Sequence, residues 1–453
     1  MLQLVSILFV AVTFTAAIFR PSIALALLVS MFPLEQLLQA NVPFFVANSS
    51  LFNIMCGVMA LLATAVHWLR RPDTLIGAVN GVSLTTYGLF LYAAMSVLWT
   101  RNAAWAAETV RDGAPYAVVL LIFAPLLVNG IDDLRGFARA TLVISLLISL
   151  QLLANPNLEL YTARLVLEID AAQKSNPLVI GTMGGVMMIL AALLQFEKSW
   201  KWSLIRYASA FIGFGIALLS GSRGQVAFAL VAAILFFPVS RRLADPRRFI
   251  GAAGAGMVLL GAVYLGMRVF ISADNDVRWS SDSLYYGGWG RVENAIDLLA
   301  AWIKEPVYFL TGLGYFSFSS IPNRSGDGYS HVMIADALGE LGIIGLTLYV
   351  LFYVLAIRAI VRVFRNYQDF PELRGTIAAL AALFAFNFLL QNKQGTLFGI
   401  DGSWTMAMIF ARIDSRDRAF GVPPEYAPDE LPEFTDEPEY EALDAPLPPR
   451  MVA

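Results

Sequence analysis

The sequence predicts an all-α protein, a polytopic bundle of transmembrane helices with a small periplasmic helical cap. Of its 453 residues, 58% are hydrophobic and 14% are charged, whereas soluble domains carry about 25% charged residues. Several apolar runs reach the length of about 20 residues that a helix needs to cross a bilayer. The mean hydropathy is +0.66. A soluble enzyme is therefore excluded, and no nucleic-acid partner is expected.

Individual apolar runs predict the membrane spans, and a total of about 12–13 is expected from their length. The runs lie near residues 1–19, 22–40, 50–69, 78–99, 113–129, 137–154, 177–196, 204–220, 224–239, 249–270, 340–360, 374–392 and 398–413. The first run lacks a basic segment and a cleavage site of small residues, which predicts a retained span rather than a signal peptide. The single cysteine, Cys56, lies within the third run.

The positions of Lys and Arg predict the orientation of the chain. Alternate connections carry nineteen basic residues in one set and eleven in the other. Short cytoplasmic connections are enriched in Lys and Arg, so the richer set is predicted to be cytoplasmic. The poorer, periplasmic set consists of Arg101, Arg111, Arg164, Lys174, Arg223, Arg268, Arg278, Arg291, Lys304, Arg324 and Lys393.

Two segments differ from the membrane domain, which is predicted to occupy residues 1–415. The loop 271–339 is predicted to be periplasmic and to contain an amphipathic helix, because apolar residues recur in helical period from Val292 to Ile303. The segment 420–453 has nine acidic residues, one basic residue and eight prolines, which predicts a disordered cytoplasmic tail. Without this tail the chain has 30 basic and 25 acidic residues, a net charge of +5 that suits an anionic partner.

Three basic residues on the predicted periplasmic side are candidates for anion binding. Arg223 follows Ser222, a candidate N-cap at the start of a span, and Arg291 opens the predicted amphipathic helix. His331 follows Ser330, a second candidate N-cap. Helix N-termini attract anions, and arginine binds phosphate through a fixed fork of donors. A single interfacial arginine more often contacts lipid headgroups, and a lone histidine is more often structural, but three such residues on one face favour a diphosphate site.

These residues predict no metal site of the His/Cys type and no nucleotide-binding loop. The chain has two histidines and one cysteine, which are far apart in the sequence. Such a set does not provide the ligand clusters that metal sites of the His/Cys type need. An all-carboxylate metal site stays open at this stage.

The region 175–415 resembles the O-antigen ligase and O-antigen polymerase superfamily of bacterial surface-polysaccharide enzymes. Three stretches carry the resemblance, namely Ser220-Gly221-Ser222-Arg223-Gly224, the run from Gly290-Arg291 through Lys304-Glu305-Pro306 to Gly312-Leu313-Gly314-Tyr315, and His331 with Gly342-Ile343-Ile344-Gly345. Nine residues separate Val332 from Gly342, which is similar to the family's His-Asn-x9-Gly-x-x-Gly signature. Val332 stands where the family usually has Asn, Ser or Gln, and Ala227 stands where a Leu is common.

The resemblance implies a metal-independent, inverting glycosyltransferase of the bacterial inner membrane. Its donor would be a glycan on undecaprenyl diphosphate, and its acceptor a hydroxyl of another glycan or of lipid A core. Arg223 and Arg291, with Ser222 beside them, would bind the diphosphate leaving group. His331 would accept the proton of the attacking hydroxyl or orient it. Membrane lipids and polysaccharide export machinery are the further partners that this reading implies.

Two alternatives stay open at the sequence level. A repeat-unit polymerase for O-antigen, exopolysaccharide or capsule would use the same donor as a ligase, and nothing in the loop 271–339 identifies the acceptor. A transporter of polysaccharide or lipid-linked sugar belongs to a different class. It would be favoured by internal repeats and by charged residues in mid-membrane, of which Glu35 is the clearest candidate.

Overall fold

The computed structural model describes most of the chain. The described residues are 2–161, 164–170, 173–196, 199–242, 247, 250–251, 254, 261, 281–322, 324, 328–399 and 402–426, with backbone alone at 281–287. Most of the predicted span 249–270 and most of the predicted tail lie outside them.

Helices dominate this part of the chain and make up 79% of it, so the predicted all-α fold class is confirmed. They are α1 (Leu2–Phe19), α2 (Pro21–Val29), α3 (Met31–Asn41), α4 (Pro43–Ala47), α5 (Leu51–Arg70), α6 (Gly81–Ser96), α7 (Ala103–Ala117), α8 (Ala124–Leu126), α9 (Ile131–Leu153), α10 (Pro177–Leu193), α11 (Trp200–Leu219), α12 (Arg223–Arg241), α13 (Ser281–Ile303), α14 (Met333–Gly339), α15 (Gly342–Tyr367), α16 (Pro371–Gln394) and α17 (Gly402–Phe420). A π-helical segment, Val118–Phe123, joins α7 to α8. An antiparallel hairpin of β1 (Leu158–Tyr161) and β2 (Arg164–Leu167), which the sequence did not predict, pairs Leu158 with Leu167.

Eight described helices are long and apolar enough to cross a membrane, and the bent pair α2–α3 counts as a ninth span if it is taken as one. The chain is therefore a multi-pass membrane protein. The predicted spans 78–99 and 177–196 correspond to helices of 16 and 17 residues. The predicted span 398–413 corresponds to α17, whose second half is charged. Since 249–270 lies mostly outside the described residues, the total of 12–13 spans stays a prediction.

Polar contacts gather the basic residues of the predicted cytoplasmic set at one end of the bundle. Arg412 is fully buried and donates to the carbonyl of Pro125 at 2.6 Å. Arg374 donates to the carbonyl of Ser240 at 3.1 Å, near the end of α12. Tyr426 packs against Tyr367 with its ring centroid 5.7 Å away. The last turn of α12 lies at this end, and Arg223 is the first residue of the same helix. The candidate site at Arg223 therefore lies at the opposite end of the bundle.

The cap at that opposite end is built on α13, which begins ten residues before the predicted start at Arg291. The run Gly287–Gly290 therefore lies within the helix and does not precede it. Glycine costs only about 1 kcal/mol in a helix and does not stop one as proline does, so the glycines were a weak boundary signal. Leu298 and Trp302 of this helix pack with Leu313 and Phe318 in a small core of their own.

The turn at Gly312–Gly314 fixes this cap to the bundle. The N–H groups of Leu313 and Gly314 donate to the carbonyls of Gly339 and Glu340 at 3.0 and 2.9 Å. Gly312 has a φ of +75°, and a Cβ on it would lie 2.2 Å from the Glu340 carbonyl oxygen. Only glycine permits that approach, so backbone packing requires glycine at this turn.

Candidate functional site

A cavity of about 470 Å³ lies between the start of α12, the helix α13 and the segment before α14. The four predicted site residues, Ser222, Arg223, Arg291 and His331, all line it. They come from three separate stretches of the chain, so it is the tertiary structure that brings them together.

Arg223 is the first residue of α12, as the sequence predicts. Ser222 occupies the N-cap position, but its hydroxyl does not cap the helix. The hydroxyl lies 3.4 Å from the carbonyl oxygen of Ser220 and 3.5 Å from that of Pro177. Its predicted capping role is therefore wrong, because the tight turn before the helix directs the side chain toward neighbouring carbonyls.

Arg291 reaches the cavity from the interior of α13 and not from its first turn. The argument from a helix N-terminus is therefore wrong for this residue, and its cationic side chain alone contributes to anion binding. Burial lowers the pKa of the Arg291 guanidinium, and the nearby Tyr329 opposes this shift. An arginine remains protonated at any physiological pH, so Arg291 contributes a half-buried positive charge to the cavity wall.

His331 adopts a left-handed backbone conformation, with a φ of +69°. Residues other than glycine rarely adopt it, and it costs about 1–3 kcal/mol unless the surroundings enforce it. Helix α14 begins at Met333 with Val332 as N-cap, so His331 does not open a helix and Ser330 is not an N-cap. The Ser330 hydroxyl instead donates to Asp336 Oδ1 at 2.5 Å and accepts from the N–H of Val332 at 3.1 Å. These bonds hold the backbone on both sides of the histidine.

Tyr329 is a site residue that the sequence analysis missed. Its ring lies against that of His331, with centroids 4.3 Å apart and planes at 60°. Its hydroxyl donates to the Gln394 carbonyl at 3.2 Å, which ties the loop to the end of α16. A tyrosine two residues before the histidine carries no spacing signal of its own, so only the structure reveals this contact.

Two further cations, Arg164 and Lys393, also line the cavity. Arg164 opens β2, and Lys393 lies in the last turn of α16. The Lys393 ammonium donates to Gln225 Oε1 at 3.1 Å. It also packs on Gly224, where a Cβ would lie 2.5 Å from Nζ. The sequence placed both cations in the periplasmic set, but the hairpin that positions Arg164 was not predicted.

The cavity is strongly positive. Arg164, Arg223 and Arg291 all lie close enough to Lys393 to repel its charge. Among the described residues that line the cavity there is no carboxylate. Four half-buried cations that line one cavity are an electrostatic arrangement that favours a multiply charged anionic ligand.

Two carboxyl groups, one on α14 and one at its end, line a small pocket that shares Tyr329 with this cavity. Asp336 and Glu340 are 6% and 3% exposed. Burial raises the pKa of Asp336 to about 7 and, together with the neighbouring Asp336 charge, also raises that of Glu340. Glu340 accepts from the N–H groups of Phe316 and Phe318, each at 3.0 Å. These carboxyl groups therefore organise the cap backbone.

An apolar groove of about 560 Å³ lies between α12, α15 and α16. Ile334, three residues after His331, forms part of its wall. Val350, Val354 and Ile357, also in the wall, are 50%, 40% and 51% exposed on the outer surface of the bundle. The groove can therefore hold an aliphatic chain.

Comparison with known proteins gives no assignment. No family model matches the chain, and no curated protein matches it.

Proposed function

We propose that this protein is a membrane glycosyltransferase that moves a glycan from a polyprenyl diphosphate carrier, such as undecaprenyl diphosphate, to a hydroxyl acceptor. The observation that carries the proposal is the cavity that unites Arg164, Arg223, Arg291 and Lys393 with His331. A diphosphate has the charge and the acceptor oxygens that such a set of donors binds. The proposal also rests on the resemblance to the O-antigen ligase and polymerase superfamily.

This reaction depends mainly on stabilisation of the leaving group. When the bond between the sugar's anomeric carbon and the diphosphate oxygen breaks, negative charge grows on the diphosphate. Arg223 and Arg291 supply fixed positive charge from half-buried positions, where electrostatic stabilisation of a transition state is most effective. Attack by the acceptor on the opposite face of the sugar gives inversion at the anomeric carbon.

His331 is the group proposed to receive the proton of the attacking hydroxyl. It lines the same cavity as the arginines. General-base catalysis contributes about 10²–10⁴-fold to a rate. Tyr329, which lies against the imidazole, restricts its orientation.

The apolar groove beside Ile334 is the proposed site of the carrier's first isoprene units. Its outer wall is exposed on the apolar surface of the bundle, so a lipid enters it laterally from the bilayer. The diphosphate then reaches the cations without leaving the membrane interface. On the proposed orientation this happens on the periplasmic face of a bacterial inner membrane, within O-antigen, exopolysaccharide or capsule synthesis.

A ligase and a polymerase share this donor site and differ in their acceptor. A transporter remains the second candidate, because α2 and α3 form a span bent by 70° and Glu35 lies just after the break. Within the described part of the chain, however, Glu35 already accepts from Asn53 at 3.0 Å and from Gln39 at 3.3 Å. The cationic cavity favours the transferase.

The decisive experiment incubates the purified full chain in nanodiscs with an undecaprenyl-diphosphate oligosaccharide, with and without lipid A core, and sizes the products. A ladder of products indicates a polymerase, and one discrete transfer to lipid A core indicates a ligase. Arg111→Ala is the matched control, since Arg111 is an exposed residue that pairs with Glu108 and Asp112. Movement of the intact donor across the bilayer without a new glycosidic bond would support the transporter and overturn the proposal.

A further inference from the structure

Three irregular segments of backbone surround a second chamber inside the bundle. The first is the break between α2 and α3 at Ser30, and the second is the π-helical segment Val118–Phe123. The third is the connection between α16 and α17, where Gly395, Gly399 and Gly402 lie at the chamber wall. Irregular backbone at membrane depth is tolerated where it lines a cavity, and π-helical turns are frequent at functional sites.

The chamber measures about 360 Å³, which lies in the range of small-ligand pockets. Its polar wall is made of hydroxyl and amide groups, and no charged side chain is found among the described residues that line it. The remaining wall is apolar. Such a combination suits an uncharged ligand with many hydroxyl groups and apolar C–H faces.

Two buried polar side chains line this chamber and are available for hydrogen bonds to a ligand. Ser145 is 2% exposed and Asn387 is 8% exposed, and both line the chamber. Within the described ranges, neither side chain makes a hydrogen bond to another protein group. The Ser145 hydroxyl and the Asn387 amide can therefore form hydrogen bonds with a ligand in the chamber.

The chamber is contiguous with the cationic cavity. Leu178, Tyr329 and Gln394 line both spaces. The hydrogen bond from the Tyr329 hydroxyl to the Gln394 carbonyl lies at this boundary. A ligand whose diphosphate is bound by Arg223 and Arg291 therefore has its neighbouring groups at the entrance of the chamber.

We propose that the chamber is a subsite for one or two uncharged sugar residues, bound by Ser145 and Asn387 next to the reacting centre. The inference rests on the proposed transferase function and adds a second binding site to it. The sugar belongs either to the donor, joined directly to the diphosphate, or to the acceptor. The same chemistry serves both sources, and binding measurements distinguish them.

The test measures dissociation constants of the full chain for three ligands. These are undecaprenyl diphosphate, the same lipid carrying one uncharged hexose, and an uncharged acceptor oligosaccharide in the presence of saturating undecaprenyl diphosphate. Ser145→Ala and Asn387→Leu each remove a polar group from the chamber. Ser149→Ala is the control, because Ser149 lies one turn further along α9, is fully buried and contacts Met187 Sδ at 3.2 Å.

Each chamber variant is expected to weaken binding of a sugar ligand by about three- to tenfold relative to the sugar-free lipid, as the loss of one hydrogen bond predicts. An effect on the hexose-bearing lipid assigns the subsite to the donor, and an effect on the oligosaccharide assigns it to the acceptor. Equal sugar binding by Ser145→Ala, Asn387→Leu and Ser149→Ala overturns the subsite while leaving the diphosphate site intact. If wild type binds undecaprenyl diphosphate no better than undecaprenol, the proposed function fails and the subsite fails with it.

Discussion

The Ser330 hydroxyl donates a hydrogen bond of 2.5 Å to the buried carboxyl of Asp336, and this contact spans the strained residue His331. The same hydroxyl accepts from the Val332 N–H, so one serine anchors the backbone on both sides of the imidazole. The strain at a φ of +69° is thereby held by the cap. Residues kept in this region of backbone space tend to lie at functional sites.

Ser330→Ala is therefore expected to lower kcat about tenfold or more while changing the donor KM little. The substitution leaves the Asp336 carboxyl and the Val332 N–H without this partner, at a cost of about 1–3 kcal/mol. The measurement is a Michaelis analysis combined with thermal melting. Ser320→Ala is the control, since the Ser320 hydroxyl donates to the Ser317 carbonyl within its own turn. A loss of stability with unchanged kcat would show that the serine does not position His331.

The buried pair Asp336 and Glu340 predicts that the cap becomes less stable as the pH rises. Burial raises the pKa of Asp336 to about 7 and raises that of Glu340, whereas an unfolded aspartate titrates near 4. The folded state thus binds more protons between these values, and its stability falls as the pH increases through about 7. The melting temperature is expected to drop between pH 5 and pH 8.

Asp336→Asn is the variant that tests this origin of the pH dependence, because an amide does not titrate. Its melting temperature should change less between pH 5 and pH 8 than that of wild type. An equally steep decrease in the variant would assign the titration to other groups. Both proteins are compared in the same detergent.

The sequence was sufficient to predict the helical fold class because apolar runs of membrane length carry a strong signal. It also predicted Arg223 and His331 as members of one site, since both lie at junctions between loops and helices. It missed Tyr329, whose contact with His331 depends on the loop conformation. It also placed Arg291 at a helix start, because Gly287–Gly290 resembled a boundary and is in fact helical. Arg164 was counted as an outward cation but not as a site residue, since the hairpin that positions it has no clear sequence pattern.

The orientation of the bundle can be tested with reporter fusions. Fusions at Ser281 and Asn323 are expected to be active in the periplasm, and fusions at Leu243 and after Tyr426 in the cytoplasm. The physical reason is the excess of nineteen over eleven basic residues on the predicted cytoplasmic side. Alkaline phosphatase and green fluorescent protein report the two compartments. A cytoplasmic signal at Ser281 would place the cationic cavity on the wrong side for a periplasmic donor.

Substitutions of His331 separate proton transfer from orientation. His331→Ala is expected to slow transfer by about 10²–10⁴-fold while donor binding remains measurable, because the arginines that bind the diphosphate are unchanged. His331→Gln retains a hydrogen bond but cannot act as a base. Activity of the glutamine variant close to wild type would assign an orienting role, and activity as low as that of the alanine variant would assign the base. Product formation is measured at equal protein abundance.

The last prediction concerns the two arginines that share the cavity. Arginine and lysine carry the same charge, but only the guanidinium offers a planar fork of donors to a phosphate. Arg223→Lys and Arg291→Lys are therefore each expected to lose most of the transferase activity, whereas Arg111→Lys, outside the cavity, should retain it. A residue that only contacts lipid headgroups would tolerate lysine, because both side chains reach the interface.

The double variant Arg223→Ala/Arg291→Ala tests whether both residues act on one leaving group. Groups that stabilise the same charge are not independent, so the double variant should lose less activation free energy than the sum of the two single losses. The measurement is kcat/KM for all four proteins with the same undecaprenyl-diphosphate donor. Strict additivity would assign the arginines to separate functions. Near-normal product from both the Arg291→Lys and the His331→Ala variants would assign a structural role to these two residues.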